Sequence, residues 1–271
     1  MYVMVPARSL TFTFGGGAWY VMFYLGVAQY VSEHVKPDMK HLLRFAGCSA
    51  GSCAATALAL NINPGKVSDD LITVSKGCKR NILKTCSAVQ GVAEANVPFD
   101  DALCASVSNR LLIGLSEYKP PAQFKRASKQ IFTGRDDILL SLKASCNVPV
   151  LGGVSPVIID GKKYYDANIS QNWKCLPTFT DKIAEQDSVI RVTAKNSWYL
   201  NDGRRGWISP RLRIPRSWQV FPPEPRELLK LNRLGYLRAW EYLYFSSIEK
   251  QFFDPSDDAL RLKHELNNFH F

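Results

Sequence analysis

The sequence predicts an α/β fold with a mostly parallel sheet, and two strand-to-helix turns near its beginning are the basis of this prediction. The first turn is a glycine triplet at residues 15–17, directly after an alternating run of β-forming residues at 9–14. The second turn, at residues 47–51, follows a short apolar strand within residues 39–46. Both turns lie at the carboxyl ends of strands, where open parallel sheets hold their ligand sites.

The segments that follow these two turns have the composition of buried helices. Residues 18–34 are apolar nearly all round, which is typical of a helix enclosed by other elements. The run at 52–60 is small and rich in alanine, as expected of a buried helix start. Up to residue 111 we further expect a helix from Asn63 to about Lys76 capped by Gly77, a mixed segment at 78–95 and a helix at 99–111.

The second half of the chain combines strand and helix patterns. We expect a strand at 123–132, a helix from about 134 to 145, a Pro/Gly loop at 147–154, a hairpin at 157–167, a strand at 188–194 and a long helix at 226–252. Asp160-Gly161 is the predicted turn of the hairpin, so this aspartate is expected to be structural. The long helix should end at Asp254-Pro255, because proline cannot continue it.

Composition and charge narrow the class of protein. The 271 residues are 46% hydrophobic, enough for one large or two small domains, and the net charge of +10 favours an anionic partner. Seven scattered cysteines without a C-x-x-C pair, together with four histidines, indicate neither a zinc site nor a disulfide framework. We expect reduced thiols in a cytoplasmic protein without cofactor or metal. No signal peptide is expected, because no basic start precedes an apolar core with a small-residue cleavage site. No membrane span is expected, since the most apolar run, residues 18–28, is too short to cross a bilayer.

The second turn matches the G-x-S-x-G pattern of a nucleophile elbow. Ser49 would lie at the tip, and Gly47 and Gly51 would flank it, because a side chain at either position would collide with the sharply turned backbone. The simpler alternative is a glycine-lined helix entry with Ser49 as its N-cap. A catalytic thiol at Cys48 is a further alternative, which its place inside the elbow disfavours.

The glycine triplet fits an oxyanion hole. Acyl transfer passes through a tetrahedral oxyanion, and each preorganised N–H donor lowers the barrier by roughly 3–4 kcal/mol. Gly15, Gly16 and Gly17, placed between a strand and a helix, can present such donors. A dinucleotide- or phosphate-binding turn is the alternative, but the triplet lacks the G-x-G-x-x-G spacing and a Walker lysine.

The partner of the serine could be a histidine or an aspartate. A Ser–His–Asp esterase would use His264 or His270, which follow Asp166 in the chain order of α/β-hydrolases. The α/β-hydrolase sheet normally has several strands before its elbow, however, whereas only about two precede Ser49. His264 and His270 are also expected to lie in a polar tail. The sequence therefore favours a Ser–Asp pair, with all four histidines expected at the surface: His34, His41, His264 and His270.

An ordered set of motifs resembles the patatin-like phospholipase domain family, within it the animal-type subgroup that includes adipose triglyceride lipase and adiponutrin. The resemblance covers residues 9–245. The motifs are Gly15-Gly16-Gly17, Gly26-Val27-Ala28, Gly47-Cys48-Ser49-Ala50-Gly51, Tyr165-Asp166-Ala167-Asn168-Ile169-Ser170, and Phe221-Pro222-Pro223-Glu224-Pro225 followed by Gly235-Tyr236.

This resemblance implies a three-layer α/β/α fold and a Ser–Asp dyad. Ser49 would be the nucleophile that forms an acyl-enzyme, and Asp166 the base, whose pKa burial should raise. The substrate would be a lipid ester, either triacylglycerol or a glycerophospholipid, and no cofactor is implied. We expect a catalytic domain at 9–196 and a basic, aromatic extension at 197–271 with the long helix, packed on the same domain.

The sequence departs from the family pattern at two places. Asp166-Ala167-Asn168 stands where the family usually has Asp-Gly-Gly or Asp-Gly-Ala, and Ala18 and Val21 stand where a later glycine of the first motif is usual. Alanine at 167 would be strained if its φ were positive. The alternative function is therefore a catalytically impaired protein of the same fold that binds lipid surfaces and sequesters a partner.

A basic and aromatic stretch at residues 197–226 suggests how the protein meets its substrate. Arginine with interleaved tryptophan suits a lipid interface, where indoles lie at headgroup depth and arginines meet phosphates. Single-stranded nucleic acid and a solvated loop are the alternatives. Next to a lipase-like dyad, we expect peripheral docking on membranes or lipid droplets and no nucleic-acid partner; a protein co-activator is not identified by the sequence. The residues expected to dock are Trp207, Arg211, Arg213 and Trp218.

Overall fold

A mostly parallel sheet forms the centre of the fold. The computed structural model describes residues 9–121, 123–170, 176–179, 188–194, 206–245, 252–254 and 258–271. Its strands are β1 (Leu10–Phe14), β2 (Leu43–Cys48), β3 (Leu111–Lys119), β4 (Gln123–Lys129), β5 (Val157–Ile159), β6 (Lys162–Tyr165), β7 (Ser188–Val192) and β8 (Trp207–Ile208). In these ranges the strand order is β5-β6-β3-β2-β1-β7-β8, with β4 also paired to β3.

The strand directions confirm the predicted sheet type. Strands β3, β2, β1, β7 and β8 run parallel, whereas β4, β5 and β6 are antiparallel additions at one side. Phe14 of β1 pairs with Gly47 of β2. The glycine triplet and the elbow therefore leave the sheet side by side at the same edge.

The helices follow the strands largely as the sequence predicts. They are α1 (Val21–His34), α2 (Ala50–Ala59), α3 (Pro64–Arg80), α4 (Thr85–Asn96), α5 (Asp101–Ser106), α6 (Arg135–Ser145), α7 (Pro225–Phe245) and α8 (Ala259–Asn267). Helix α1 is buried almost throughout, as expected, after a 3-10 turn at 18–20. The predicted hairpin is confirmed, with Asp160 and Gly161 both at positive φ in its turn.

Different groups of residues pack on the two faces of the sheet. Leu10, Phe12 and Phe14 point to the face that packs into the main helical core, and all three are completely buried. On the opposite face, Ala46 and Leu112 contact Phe179, which also lies 3.6 Å from the guanidinium of Arg44. The sheet therefore buries both faces, as a parallel sheet in an α/β protein does.

Helix α7 packs directly on α1 at two glycines. A side chain on Gly26 would collide with the carbonyl of Asn232, and one on Gly235 would collide with the carbonyl of Phe23. The two backbones therefore approach more closely than other residues would permit.

Several boundary predictions were wrong. The helix expected at 99–111 is the short α5, and Leu111 instead begins β3, whose apolar run has no alternation because both faces are buried. Helix α3 continues through Gly77 to Arg80 and its C-cap is Asn81, so Gly77 is an interior helix residue. The long helix α7 is described to Phe245, and residues 246–251 lie outside the described ranges. His264 lies within helix α8, not in a polar tail.

Candidate active site

The elbow holds Ser49 in a conformation that few residues adopt. Ser49 connects β2 to α2 with φ 50° and ψ −128°. A side chain on Gly47 would collide with the carbonyl of Gly51, and one on Gly51 would collide with the carbonyls of Phe14 and Gly15. The glycine spacing therefore follows from close backbone contacts, and Gly51 joins the elbow to the glycine triplet.

Ser49 and Asp166 form a direct hydrogen bond. The Ser49 hydroxyl donates to Asp166 Oδ2 over 2.7 Å, and the two residues are only 5% and 2% exposed. The other carboxylate oxygen accepts from the backbone N–H of Asn168 at 2.8 Å. The Asp166 N–H in turn donates to the carbonyl of Asn147 at 3.0 Å. The structure thus brings together the two side chains selected from the sequence and fixes the carboxylate from two sides.

Two buried serines that the sequence analysis missed support this pair. Ser145, at the end of α6, accepts from the Ser49 N–H at 2.9 Å and donates to the carbonyl of Gly114 at 2.7 Å. Ser116, on β3, donates to the carbonyl of Asp166 at 2.8 Å and bonds the hydroxyl of Ser170. Neither serine belongs to a recognisable local motif, and β3 itself was not predicted.

The glycine triplet is fixed by the sheet and by a buried tyrosine. The N–H of Gly15 donates to the carbonyl of Val192 at 2.9 Å, as in a sheet, so it is engaged within the protein. The Tyr24 hydroxyl donates to the carbonyl of Gly16 at 3.0 Å, and burial raises the pKa of Tyr24 far above its ordinary value. Within the described residues, the N–H groups of Gly16 and Gly17 donate to no protein acceptor. These two donors remain the candidates for an oxyanion hole.

The departures from the family pattern have different consequences. Ala167 lies in a 3-10 helix at 167–169 and does not have a positive φ, so alanine is unstrained there. Asn168 extends its carboxamide into the space beside Gly16, and its oxygen faces the thiol of Cys48 at 3.8 Å. Ala18, in contrast, has φ 44°, a conformation that favours glycine.

Sequence comparison identifies the family of this fold and site. Residues 12–178 match the family model described as patatin-like phospholipase, and this stretch is more than half of the 271-residue chain. The chain belongs to the patatin-like phospholipase family. The predicted patatin-like three-layer α/β/α architecture is thereby confirmed.

Curated relatives of this patatin-like protein cover most of its length. It is 22% identical over 254 residues to "1-acylglycerol-3-phosphate O-acyltransferase Pnpla3" of Mus musculus, covering 88% of this chain and 60% of that protein. It is 25% identical over 249 residues to "Patatin-like phospholipase domain-containing protein 2" of Rattus norvegicus, covering 85% and 50%. For "Patatin-like phospholipase domain-containing protein 4" of Homo sapiens, the identity is 22% over 253 residues, with 84% and 94% covered.

These names confirm the resemblance to the animal-type subgroup. The patatin-like chain nevertheless spans only 60% and 50% of the mouse and rat proteins. Among solved structures, VipD from Legionella pneumophila aligns with a TM-score of 0.45 and 11% identity over 87% of this chain and 66% of that chain. The family assignment rests on the family model, since this structural likeness is too low to add to it.

A cleft of about 450 Å³ lies beside the loop that holds Asp166 in this patatin-like fold, and neither Ser49 nor Asp166 is among its lining residues. It is bounded by α2, α4, α6 and the loop that follows α6, and one of its lining residues is Asn147, whose carbonyl accepts from the Asp166 N–H. Its largest apolar lining residues are Leu83, Val89, Leu139, Leu142, Val150 and Leu151. A cleft of this size with these apolar lining residues can accommodate a hydrocarbon chain.

The histidines, all within the described residues, are not hydrogen-bonded to the Ser49–Asp166 pair. His41, His264 and His270 are exposed, as expected. The expectation that His34 is also solvated was wrong, because it is half-buried against Tyr30 and bonds the Tyr236 hydroxyl at 3.1 Å. All four histidines are described, and no hydrogen bond joins any of them to the Ser49 hydroxyl.

The residues expected to dock on lipid have intramolecular neighbours. The guanidinium of Arg191 lies 5.7 Å from the Trp207 ring, and Trp218 packs against Phe271 at 5.5 Å. Arg211 pairs with Glu241 at 3.2 Å. Arg213 is exposed. Their role in docking stays a prediction.

The described part of the chain contains neither a metal-binding cluster nor a helix that could span a membrane. There, no group of three or more histidine, cysteine or acidic side chains is arranged to hold a metal ion. Six of the cysteines are described, and all six are free thiols. No described helix is both long and apolar enough to cross a membrane.

Proposed function

We propose that this patatin-like protein is a lipid acyl hydrolase in which Ser49 is the nucleophile and Asp166 is the base. The observation that supports this most directly is the 2.7 Å hydrogen bond from the Ser49 hydroxyl to Asp166 Oδ2 at a strained elbow. A serine is a weak nucleophile until a neighbouring base accepts its proton. A hydrogen bond of this length is within the range for that transfer.

The reaction follows from the direction of this hydrogen bond. Asp166 accepts the hydroxyl proton while Ser49 Oγ adds to the ester carbonyl, and the N–H groups of Gly16 and Gly17 stabilise the resulting oxyanion. The carbon–oxygen bond to the alcohol breaks, and the alcohol leaves with the proton from Asp166. Water then attacks the acyl-enzyme and gives a proton to Asp166. The fatty acid leaves as Ser49 regains that proton.

The proposed substrate is a long-chain lipid ester, either triacylglycerol or a glycerophospholipid. The apolar cleft of about 450 Å³ would hold one acyl chain while its carbonyl reaches Ser49. Such substrates reside in membranes or droplets, so we propose that the enzyme acts in the cytoplasm as a peripheral protein on those surfaces. The net charge of +10 favours contact with anionic lipid.

Acyl transfer to an alcohol is a second candidate function. The mouse relative is named 1-acylglycerol-3-phosphate O-acyltransferase. The same acyl-enzyme could pass its acyl group to the free hydroxyl of a lysophospholipid instead of to water. The two outcomes differ only in the second step, so they share the requirement for Ser49.

The experiment compares wild type with Ser49→Ala and Asp166→Asn on triolein, dioleoylphosphatidylcholine and p-nitrophenyl butyrate. We expect both variants to lose about a thousandfold or more in rate, because each removes half of one catalytic unit. Thr73→Ala, an exposed change on α3, is the control and should retain full activity. Equal rates for wild type and Ser49→Ala would overturn the proposal and favour an impaired lipid-binding protein. Product analysis with added lysophosphatidic acid distinguishes fatty acid release from acyl transfer.

A further inference from the structure

A sheet face on the antiparallel side of the fold combines aromatic, aliphatic and basic side chains. Residues directly opposite each other in a sheet share a face, and Tyr118 lies opposite both Phe124 and Lys163. Lys163 in turn lies opposite Ile158. We call this surface the hairpin face, defined by Tyr118, Phe124, Arg126, Ile158, Lys163 and Tyr165.

The hairpin face is open, whereas the other face of the same strands is packed. Val157, Ile159 and Tyr164 point to the other face and belong to the main core, where α6 contacts β3 and β5. On the hairpin face, Phe124 is 39% exposed and Ile158 is 59% exposed. The strands therefore present apolar side chains to solvent as well as to the core.

The aromatic residues of the hairpin face form a compact cluster. The ring centroids of Tyr118, Phe124 and Tyr165 are separated by 5.5, 5.9 and 6.1 Å. Ring pairs at these separations stabilise one another, which keeps the half-exposed rings in place. Two of the three rings carry a hydroxyl, as suits side chains that meet both water and lipid.

The two hairpins that form this face are strongly basic. Residues 117–129 and 157–165 contain six lysines and arginines and two acidic residues. Both acidic side chains already have a lysine partner, Glu117 with Lys119 at 3.6 Å and Asp160 with Lys129 at 3.6 Å. The strand register places two of the six cations, Arg126 and Lys163, on the hairpin face and places no acidic residue opposite either of them. The hairpin face therefore offers positive charge to an anionic partner.

The hairpin face is continuous with the candidate active site. Tyr165 directly precedes Asp166 in the chain. Arg126 Nε donates to the carbonyl of Ser170, which belongs to the same short segment as Asp166. Whatever covers the hairpin face would therefore lie next to the catalytic pair.

We propose that the hairpin face is the surface by which the protein docks on anionic phospholipid bilayers. The aromatic rings would lie at headgroup depth, the exposed Ile158 would enter the acyl region, and Lys163 would approach lipid phosphates. A second copy of this chain is disfavoured as the occupant, because two such basic faces would repel each other. Nucleic acid bases could stack on the aromatic rings, but a nucleic acid has no apolar region that would bury the exposed Ile158, so it is disfavoured. This docking proposal rests on the proposed function in one respect: the bilayer would supply the lipid ester that the docked enzyme hydrolyses.

The test is sedimentation of the full chain with vesicles of phosphatidylcholine, with and without phosphatidylserine. One variant, Lys163→Glu, reverses a charge on the hairpin face, and another, Phe124→Ser/Ile158→Ser, removes the apolar contact. Arg126 is left intact because it bonds Ser170. The matched controls change exposed residues elsewhere: Lys76→Glu and Leu229→Ser/Leu260→Ser.

We expect wild type to prefer phosphatidylserine vesicles, and each hairpin-face variant to bind at least about tenfold more weakly while the controls bind as wild type does. Added salt should weaken binding. Wild-type hydrolysis of soluble p-nitrophenyl butyrate should persist in every variant, so a failure of docking is distinguished from a failure of catalysis. Hairpin-face variants that bind like wild type would overturn the proposal. So would loss of binding confined to Trp207→Ser/Trp218→Ser, or displacement of the protein from vesicles by single-stranded RNA in wild type and hairpin-face variants alike.

Discussion

The carboxamide of Asn168 occupies the space that a side chain on Gly16 would need. The two residues come from the two halves of the candidate site, since Gly16 belongs to the oxyanion turn and Asn168 holds Asp166 through its N–H at 2.8 Å. Asn168 stands where the family usually has a small residue, so in this chain the glycine turn contacts the segment that holds Asp166. That contact makes the two motifs interdependent.

The first prediction concerns Gly16→Ala. Its Cβ would collide with the side-chain amide of Asn168, although the backbone at Gly16 does not require glycine for a positive φ. We expect kcat/KM for p-nitrophenyl butyrate to fall by about a hundredfold, because displacements on the order of 1 Å at a reacting centre have effects of that size. The colliding atoms are absent from alanine at 168, so Gly16→Ala/Asn168→Ala should recover most of the loss.

Asn168→Ala alone is the control for this rescue and should retain substantial activity. A double variant no more active than Gly16→Ala would show that the contact is not what excludes a side chain at residue 16. Gly17→Ala offers a contrast, because Gly17 has φ 147° and no second change can relieve that strain.

The second prediction concerns Ser145, which we assign as a positioning residue. Ser145→Ala leaves the buried N–H of Ser49 without its acceptor, and such a loss costs about 1–3 kcal/mol. We expect kcat to fall roughly tenfold or more with KM nearly unchanged, because the apolar cleft is intact. Steady-state kinetics with a short ester measures both values.

Ser141→Ala is the matched control for Ser145→Ala. Ser141 is fully buried on the same helix, but its hydroxyl donates to the carbonyl of Asp137 within that helix. We expect it to lower the melting temperature slightly and to leave kcat unchanged. A similar fall in kcat for both variants would mean that α6 acts through stability alone.

The third prediction tests the apolar cleft as the acyl site. Gln90 lines the cleft from α4, and Gln90→Trp would fill part of its volume. We expect hydrolysis of dioleoyl substrates to fall at least about tenfold relative to p-nitrophenyl butyrate, because only long chains need the cleft. Ala95→Trp adds the same ring at an exposed position of α4 outside the cleft and should leave this ratio unchanged. An equal ratio in both variants would contradict the assignment.

The sequence was most informative where function requires a local backbone feature. The elbow glycines could be predicted because a side chain at Gly47 or Gly51 is excluded by neighbouring backbone. Asp166 could be selected because residues 165–170 resemble a family motif, and the hairpin before it follows local patterns of turn and alternation. The geometry that joins Asp166 to Ser49 depends on β3, which pairs with both β2 and β6 and was not predicted.

Features set by tertiary contacts could not be predicted in the same way. Ser145 and Ser116 are ordinary serines until α6 and β3 bring them to the elbow and to Asp166. Strand β3 escaped prediction because a strand buried on both faces has no alternation. The contact of Asn168 with Gly16 was likewise hidden, although the unusual residue at 168 was noticed.

The fourth prediction concerns the pH dependence of stability, for which His34 provides a clear sign. Burial against Tyr30 and Tyr236 lowers its pKa below the ordinary value, while the carboxylates of Glu33 and Asp254 partly oppose this. The folded state therefore binds fewer protons than the unfolded state. The contribution to stability is complete above the unfolded pKa of about 6.5 and is lost as pH falls through that value towards the lower folded pKa.

His34→Gln removes this titration while keeping a polar group near the Tyr236 hydroxyl. Between pH 7 and about 5.5, we expect the melting temperature of wild type to decline more steeply than that of His34→Gln. His41→Gln changes an exposed histidine for comparison and should reproduce the wild-type slope. Parallel slopes for wild type and His34→Gln would show that protonation of His34 is not linked to unfolding. Because His34 lies away from the Ser49–Asp166 pair, kcat at pH 7.5 should be the same in all three proteins.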